Sequence, residues 1–566
     1  MPFFLIKYLV ILGYDVTPPL RGLWKDNSVL QIKIYDPESK QKVIILDSLN
    51  FFPTSLKNLL ISFNCNIRKG EFPHLFVRKD NLNYIGDKPE SKYYGLSLSN
   101  GNGEEISLSN IDNSGQGLNN PHDVGEEKWN LKEECLKYLK SDVEGLFEII
   151  DNASKHYFDN YKLNMSSFLT LPSLSLGIFG NLFFNNEKYR IKMIKGPLEK
   201  YLRESYYGGN VQSFVTENNG EVEEAFHYDL NSQYPNAMVS NEMPVGNPVF
   251  STNKNIDYYS GFVYAKIIPP SEDKLKNLYI QYRGNDPKNT ITCPRTPFIR
   301  WIDSLELKSA LKEGYKAEII CGIDFPDSKK IESRNLFTDF VDHFFNEKLY
   351  AKDQVARTIA KLILNSLYGK FGQKDISSRI RIVDQDTANK LVKKYHYTYF
   401  SEITKDKILI KYSYKLNEKL RRLYEEDEED IKNEEIEYFS KERGIPSAVH
   451  ISSRIAALAR VSINIYKNIP GNRLLYSDTD SLFLEKPLPD YLIGKELGKW
   501  KLEAHIKKGV FIRPKVYYYE DVNNNLKKVC AGVNAESLSI NDYKKLGKGE
   551  EIQVTMPPKK NYNRMV

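Results

Sequence analysis

A chain of 566 residues and 65.6 kDa, 41% hydrophobic and 27% charged, is long enough to hold several domains with their own cores. Its 80 basic and 74 acidic residues leave a formal net charge of only +6, which excludes a uniformly basic protein and confines any nucleic-acid surface to a local groove. No run of about 18 apolar residues occurs, so no transmembrane helix or membrane partner is expected. The five scattered cysteines, Cys65, Cys135, Cys293, Cys321 and Cys530, form neither a zinc pattern nor a disulfide framework and suit a reducing compartment.

In chain order, residues 2–13 are apolar but lack a basic leader and a small-residue cleavage site, so neither a signal nor a transit peptide is expected. Asp36-Pro-Glu38 falls at a hairpin turn just before Asp47-Ser-Leu49, and residues 97–128 are polar and glycine-rich, as in a long loop. Ala225 to Met238 reads as a short apolar strand that delivers Asp229 at its end and then turns at Pro235. At a period of 3.6, Arg357, Lys361, Asn365 and Tyr368 share one stripe of a helix that Gly369 can end. A solvated amphipathic face explains the two cations, but an amide and an aromatic beside them suit a nucleotide better. Asp384-Gln-Asp386 lies in polar sequence and reads as a solvated turn, and the run Glu425 to Asp430 as a solvated acidic segment.

The sharpest signal is Leu474 to Leu484, where Asp478 and Asp480 interrupt an apolar, strand-like run. Carboxylates among leucines carry a large desolvation penalty unless a tight turn aims them at cations. Asp229, Asp478 and Asp480 together match what two divalent ions about 3.5–4 Å apart need to clamp an in-line displacement. Mg²⁺, which keeps waters and is completed by substrate phosphates, is the expected metal.

Tyr228-Asp-Leu-Asn-Ser-Gln-Tyr-Pro235 resembles motif A of family B DNA polymerases, Lys361-Leu-Ile-Leu-Asn-Ser-Leu-Tyr-Gly369 resembles motif B, and Tyr476-Ser-Asp-Thr-Asp-Ser481 resembles motif C. Lys515-Val-Tyr517 is similar to the Lys-x-Tyr element after motif C, and Tyr206-Tyr-Gly-Gly209 to the element joining exonuclease and polymerase domains. The match spans about residues 40–540, and the short chain with long intervals between motifs is most similar to the protein-primed branch of linear plasmids and some phages. The resemblance implies metal ligation by Asp229, Asp480 and the Leu230 carbonyl, with Asp478 as a second acidic residue of the palm. It implies nucleotide contacts by Ser232, Arg357, Lys361, Asn365 and Tyr368, with Tyr234 as the ring that excludes a 2′-hydroxyl. Tyr206, Gly208, Gly209, Lys515 and Tyr517 would touch DNA, strand packing being the alternative for Tyr517. Mg²⁺ in two sites (Mn²⁺ substituting), template-primer DNA, deoxynucleoside triphosphates and a terminal priming protein are the implied ligands and partners of a monomer.

The family pattern breaks at the front of the chain. Of three acidic exonuclease motifs only the last, Tyr138-Leu-Lys-Ser-Asp142, is matched, with Lys69 in a basic position and Ser48 and Leu49 in single-strand-binding positions. Asp36-Pro-Glu38 lies too late in domain order and reads as a decoy, and Met1 to Leu9 resembles the helix that follows the second motif. The expectation is an N-terminally truncated chain that cannot proofread.

The implied fold is an α+β multidomain right hand of palm, fingers and thumb with a partial RNase H-like exonuclease domain. Its expected divisions are 1–150 (exonuclease-like), 151–219 (linker), 220–278 (palm, motif A), 279–330 (first terminal-protein-region insertion), 331–372 (fingers), 373–446 (second insertion), 447–525 (palm, motif C) and 526–566 (thumb). The implied function is DNA-directed DNA polymerase replicating a linear element, with a decayed nucleic-acid-binding remnant as the alternative. Richness in Lys, Asn, Ile, Tyr and Phe, as AT-rich organelle genes encode, points to the mitochondrion; a cytoplasmic plasmid or a phage is the alternative origin.

Overall fold

The computed structural model describes residues 31–35, 39–94, 128–284 apart from 195 and 216, 290–374 apart from 330, 378–416 and 448–554, with short pieces between 8 and 29 and at 98–106. Its centre is an antiparallel sheet of β1 (Val211–Ser213), β2 (Ala225–Leu230), β3 (Leu474–Asp478), β4 (Ser481–Leu484), β5 (Trp500–Arg513), β6 (Val516–Asp521) and β7 (Leu526–Cys530). The order is β7-β6-β5-β2-β4-β3-β1, with Glu221–Val222 also on β5. Strands far apart in sequence thus become neighbours: β2 lies between β4 and β5, and Asp229 is level with Ser481 on one side and Lys501 on the other. Alternation along β2 sends Tyr228 and Leu230 into one core with Leu482, Leu484 and Trp500. On the opposite face His227 stacks on Phe483, 4.0 Å between ring centroids.

Five helices share a core of their own: α1 (Leu131–Tyr161), α2 (Gln233–Ser240), α3 (Thr338–Tyr350), α4 (Gln354–Phe371) and α5 (Val449–Asn464). Asp353 starts α4 by accepting from the N–H groups of Val355 and Ala356. Ile359, Ala360, Ile363, Leu364 and Leu367 face a core shared with all four other helices, while Arg357, Lys361 and Asn365 stay exposed. Contrary to the sequence expectation, α4 runs through Gly369 and ends at Gly372. A Cβ on Gly372 would lie 2.6 Å from the Tyr206 ring and 2.9 Å from Ser452, so close packing asks for glycine there.

Several expected divisions do not coincide with folded units. The helix α1 crosses residue 150 without a break. Strands 262–268, 298–303 and 316–324 pair in one sheet with 249–251, astride residue 278, because 262–268 needs a partner on each edge. Past residue 525, β7 completes the central sheet rather than starting a separate layer, and Leu538 and Tyr543 pack on Val510, Val516 and Tyr518. Residues 378–383, 395–404 and 407–416 make a three-stranded sheet with its own small core. There Asp384 is exposed, as the sequence predicts, and caps helix 385–394 by accepting from the Thr387 N–H. Asp36–Glu38 lie outside the described residues, between strands 31–35 and 42–46, which pair as a hairpin. The acidic run 425–430 also lies outside them.

Candidate active site

Asp229 stands at the penultimate position of β2, and Asp478, Thr479 and Asp480 make the tight turn from β3 to β4. The Leu230 N–H donates to the Asp480 carbonyl at 2.8 Å, which fixes the end of β2 against that turn. Thr479 has φ +57, a costly conformation for a β-branched residue. Three contacts sustain it. Its N–H donates to the Asn210 carbonyl at 3.1 Å, its carbonyl accepts from Gln233 Nε2 at 3.0 Å, and its hydroxyl donates to Asp478 Oδ1 at 3.1 Å.

The three aspartates are not equivalent. Asp478 is drawn to Lys515, 2.7 Å from Nζ. Among the described residues neither Asp229 nor Asp480 has an ion pair. Burial, and then the charges of Asp480 and Glu503, push the Asp229 carboxyl up to about 7; burial, and then Asp478, raise that of Asp480. Two desolvated, mutually repelling carboxylates beside the Leu230 carbonyl suit a divalent cation that substrate oxygens would complete.

Facing them, Lys348 of α3 donates to Ser232 Oγ at 2.8 Å. Burial, and then Lys361, lower its pKa, while the nearby Asp229 carboxyl opposes that shift. Lys348 was not legible in the sequence, where it resembles any helix-surface lysine. Ser232, at φ +51, turns the chain from β2 into α2. Tyr234 then lies flat on Tyr368 of α4, and Asn365 Nδ2 donates to the Lys361 carbonyl at 3.1 Å. Arg357 Nε reaches the Lys348 carbonyl at 3.3 Å, tying α4 to α3.

The Tyr206–Gly209 loop backs onto the aspartate turn. A Cβ on Gly209 would lie 2.5 Å from Thr479 Cγ2, which explains glycine there, whereas Gly208 has open space. Lys515, at φ +58, also donates from its N–H to Tyr476 Oη at 2.8 Å. Tyr517 is 9% exposed and packs with Tyr476, Phe483 and Phe511.

Near the front of the chain, Lys69, Tyr138 and Asp142 do meet. Lys69 Nζ is 3.2 Å from Asp142 Oδ2 and 5.3 Å from the Tyr138 ring centroid. Burial opposes its charge, but Tyr138 and Asp142 hold the Lys69 ammonium above its usual range. Ser48 and Leu49 form a single turn capped by Asp47, with Leu49 exposed.

A mixed α/β right hand with one carboxylate at the end of β2 and another in the neighbouring β3–β4 turn, opposite lysines of α3 and α4, is the architecture of a nucleotide polymerase. The sequence model of type B DNA polymerases, organellar and viral, matches residues 6–461, and the chain belongs to that family. It is 46% identical over 554 residues to a probable DNA polymerase of Agaricus bitorquis, covering 97% of this chain and 66% of that one. It is 30% identical over 555 residues to a probable DNA polymerase of Podospora anserina, covering 94% and 43%. The chain therefore spans less than two-thirds of the length of these relatives. Its fold matches Phi29 DNA polymerase complexed with primer-template DNA and incoming nucleotide substrates, with a TM-score of 0.63, 19% identity and coverage of 96% and 84%. Among the described residues no helix is long and apolar enough to cross a membrane.

Proposed function

We propose that this chain is a DNA-directed DNA polymerase that adds deoxynucleotides to a primer end by two-metal phosphoryl transfer. The observation that carries this reading is the pairing of Asp229 and Asp480, both raised in pKa by burial, opposite Lys348 and Lys361. Two divalent ions, Mg²⁺ or Mn²⁺, would be held by Asp229, Asp480 and the Leu230 carbonyl; they supply charge stabilisation to the attacking and leaving oxygens. The residues do the rest. Lys348, Lys361 and Arg357 receive the triphosphate, with Ser232 beside it, and Tyr234 and Tyr368 enclose sugar and base. Lys515, engaged with Asp478, and the Tyr206–Gly209 loop bring the primer-template to the turn. A decayed binding remnant would not need half-buried like charges kept together at a desolvation cost.

The likeness to relatives from fungi and to Phi29 DNA polymerase supports a protein-primed enzyme replicating a linear element, mitochondrial in setting, with a terminal protein as primer. Proofreading is assigned to no residue of this polypeptide as given, since Asp142 is the single acidic exonuclease residue matched and one aspartate cannot hold two metal ions. The decisive experiment is primer extension by the purified chain with Mg²⁺ and each deoxynucleotide. Template-directed products support the reading, and their absence under conditions where the folded protein binds primer-template refutes it.

A further inference from the structure

Five charged side chains lie inside the molecule between α5 and residues 298–312: Arg300, Asp303, Glu306, Arg454 and Arg460, each at most 5% exposed. They form two systems. Arg454 donates to Asp303 at 2.5 Å and spends its other N–H groups on the carbonyls of Glu242, Ser260 and Gly261, away from the aspartate turn. Arg460 is held by Glu306 through two parallel bonds, Nε to Oε1 at 2.6 Å and Nη2 to Oε2 at 2.7 Å. Its remaining nitrogen, Nη1, donates to the carbonyls of Tyr207 at 2.5 Å and Gly208 at 3.3 Å. Arg300 sits 4.1 Å over the Tyr207 ring and 3.6 Å from the same Glu306 carboxylate, and the Arg283 N–H donates to Tyr207 Oη.

Two residues further on, the Asn210 carbonyl accepts from Thr479 between Asp478 and Asp480. An unbroken path of direct contacts thus leads from Glu306 through Arg460 and the Tyr207–Asn210 backbone to the aspartate turn. Stability alone does not account for the pair, because apolar residues of similar volume commonly replace a buried ion pair at no loss. What a planar guanidinium clamped on one edge does supply is rigid donors for two consecutive carbonyls of a loop without regular structure.

We propose that Glu306 is a positioning residue for the polymerisation site: it orients Arg460, which holds the Tyr207–Gly208 carbonyls and through Asn210 sets the turn carrying Asp478 and Asp480. This rests on the polymerase reading, and it makes the segment around residue 306 a working part of the site rather than an external platform.

The test uses the full chain with Glu306→Gln, Arg460→Lys and the apolar double replacement Glu306→Leu with Arg460→Met. Thermal unfolding, nucleotide KM and kcat on one primer-template, and hydrogen exchange over residues 474–484 are measured for each. Misplacement of catalytic groups by a fraction of an ångström is expected to lower kcat about tenfold or more in every folded variant. Nucleotide KM should stay within about twofold, because the triphosphate side is untouched. Exchange at the turn should accelerate, including in a double variant that melts with the parent. A folded variant with parental kcat and parental exchange overturns the proposal, as does loss of folding in all three. Failure of the parent to extend primers contradicts the polymerase reading instead, and exchange at the turn, which needs no activity, then decides the role of Glu306.

Discussion

Tyr234 and Tyr368 lie face to face, with ring centroids 4.0 Å apart and planes 7° from parallel. One ring stands on α2, just past the strand carrying Asp229, and the other on α4, so the position opposite the sugar is set by two elements that meet only in the folded protein. Tyr234→Val removes the ring that would collide with a 2′-hydroxyl, a discrimination by steric exclusion rather than by added affinity. The ratio of ribonucleotide to deoxynucleotide incorporation efficiency is expected to rise; an unchanged ratio returns Tyr234 to packing against Tyr368.

Replacing Asp229 or Asp480 by Ala should abolish incorporation while leaving primer-template binding and the fold largely intact. Loss of preorganised charge stabilisation of this kind typically costs about 2.7–4 kcal/mol or more in the barrier. Single-turnover extension measures it, and a variant within tenfold of the parent would sink the two-metal assignment.

Lys348→Ala should act on nucleotide affinity. A half-buried ammonium 2.8 Å from Ser232, with Lys361 beside it, is held where the negative charge of a triphosphate would relieve both cations. Loss of one charge-assisted contact, about 1.5–3 kcal/mol, predicts a rise in nucleotide KM of roughly tenfold or more. Steady-state titration of each nucleotide at fixed primer-template checks this, and an unaltered KM removes Lys348 from the triphosphate side.

His450 predicts the acid limb of stability. It is fully buried, neither ring nitrogen has a hydrogen-bond partner among the described residues, and its ring stacks on Phe325 at 5.2 Å. Burial lowers its pKa from 6.5 to about 3. Between those values the unfolded chain binds a proton that the native state refuses, so the stability present above pH 6.5 is lost as pH falls toward 3. His450→Phe should flatten the fall in urea midpoint between pH 7.5 and about 4.5, with a residual slope from His227, whose pKa burial lowers to about 4. Parallel curves for parent and variant would exclude His450 as a source.

A single matched exonuclease aspartate, Asp142, leads to an expected absence of proofreading in this polypeptide, because one carboxylate cannot hold two metal ions. A labelled, mismatched single-stranded 3′ end incubated with Mg²⁺ or Mn²⁺ and no nucleotide should stay intact. Degradation that disappears in Asp142→Ala would show that other carboxylates complete a hydrolytic site there.

Much of the site was legible in the sequence because its signals are local. An apolar strand ending in Asp229, an Asp-Thr-Asp turn between two strands and a 3.6-residue stripe through Arg357, Lys361 and Asn365 each follow from period and turn chemistry within a dozen residues. The resemblance built on those motifs pointed to the same right-hand fold. Tertiary structure alone decided the rest. It divided the aspartates by giving Asp478 to Lys515, turned Tyr517 into a core residue, carried α4 past Gly369 to where Gly372 meets Tyr206, and brought Lys348 to Ser232. Glu306 and Arg460, 154 residues apart, show the physical reason. A buried carboxylate and a buried guanidinium carry no local pattern, and which charge meets which depends on how far each is removed from water once distant strands and helices close around them.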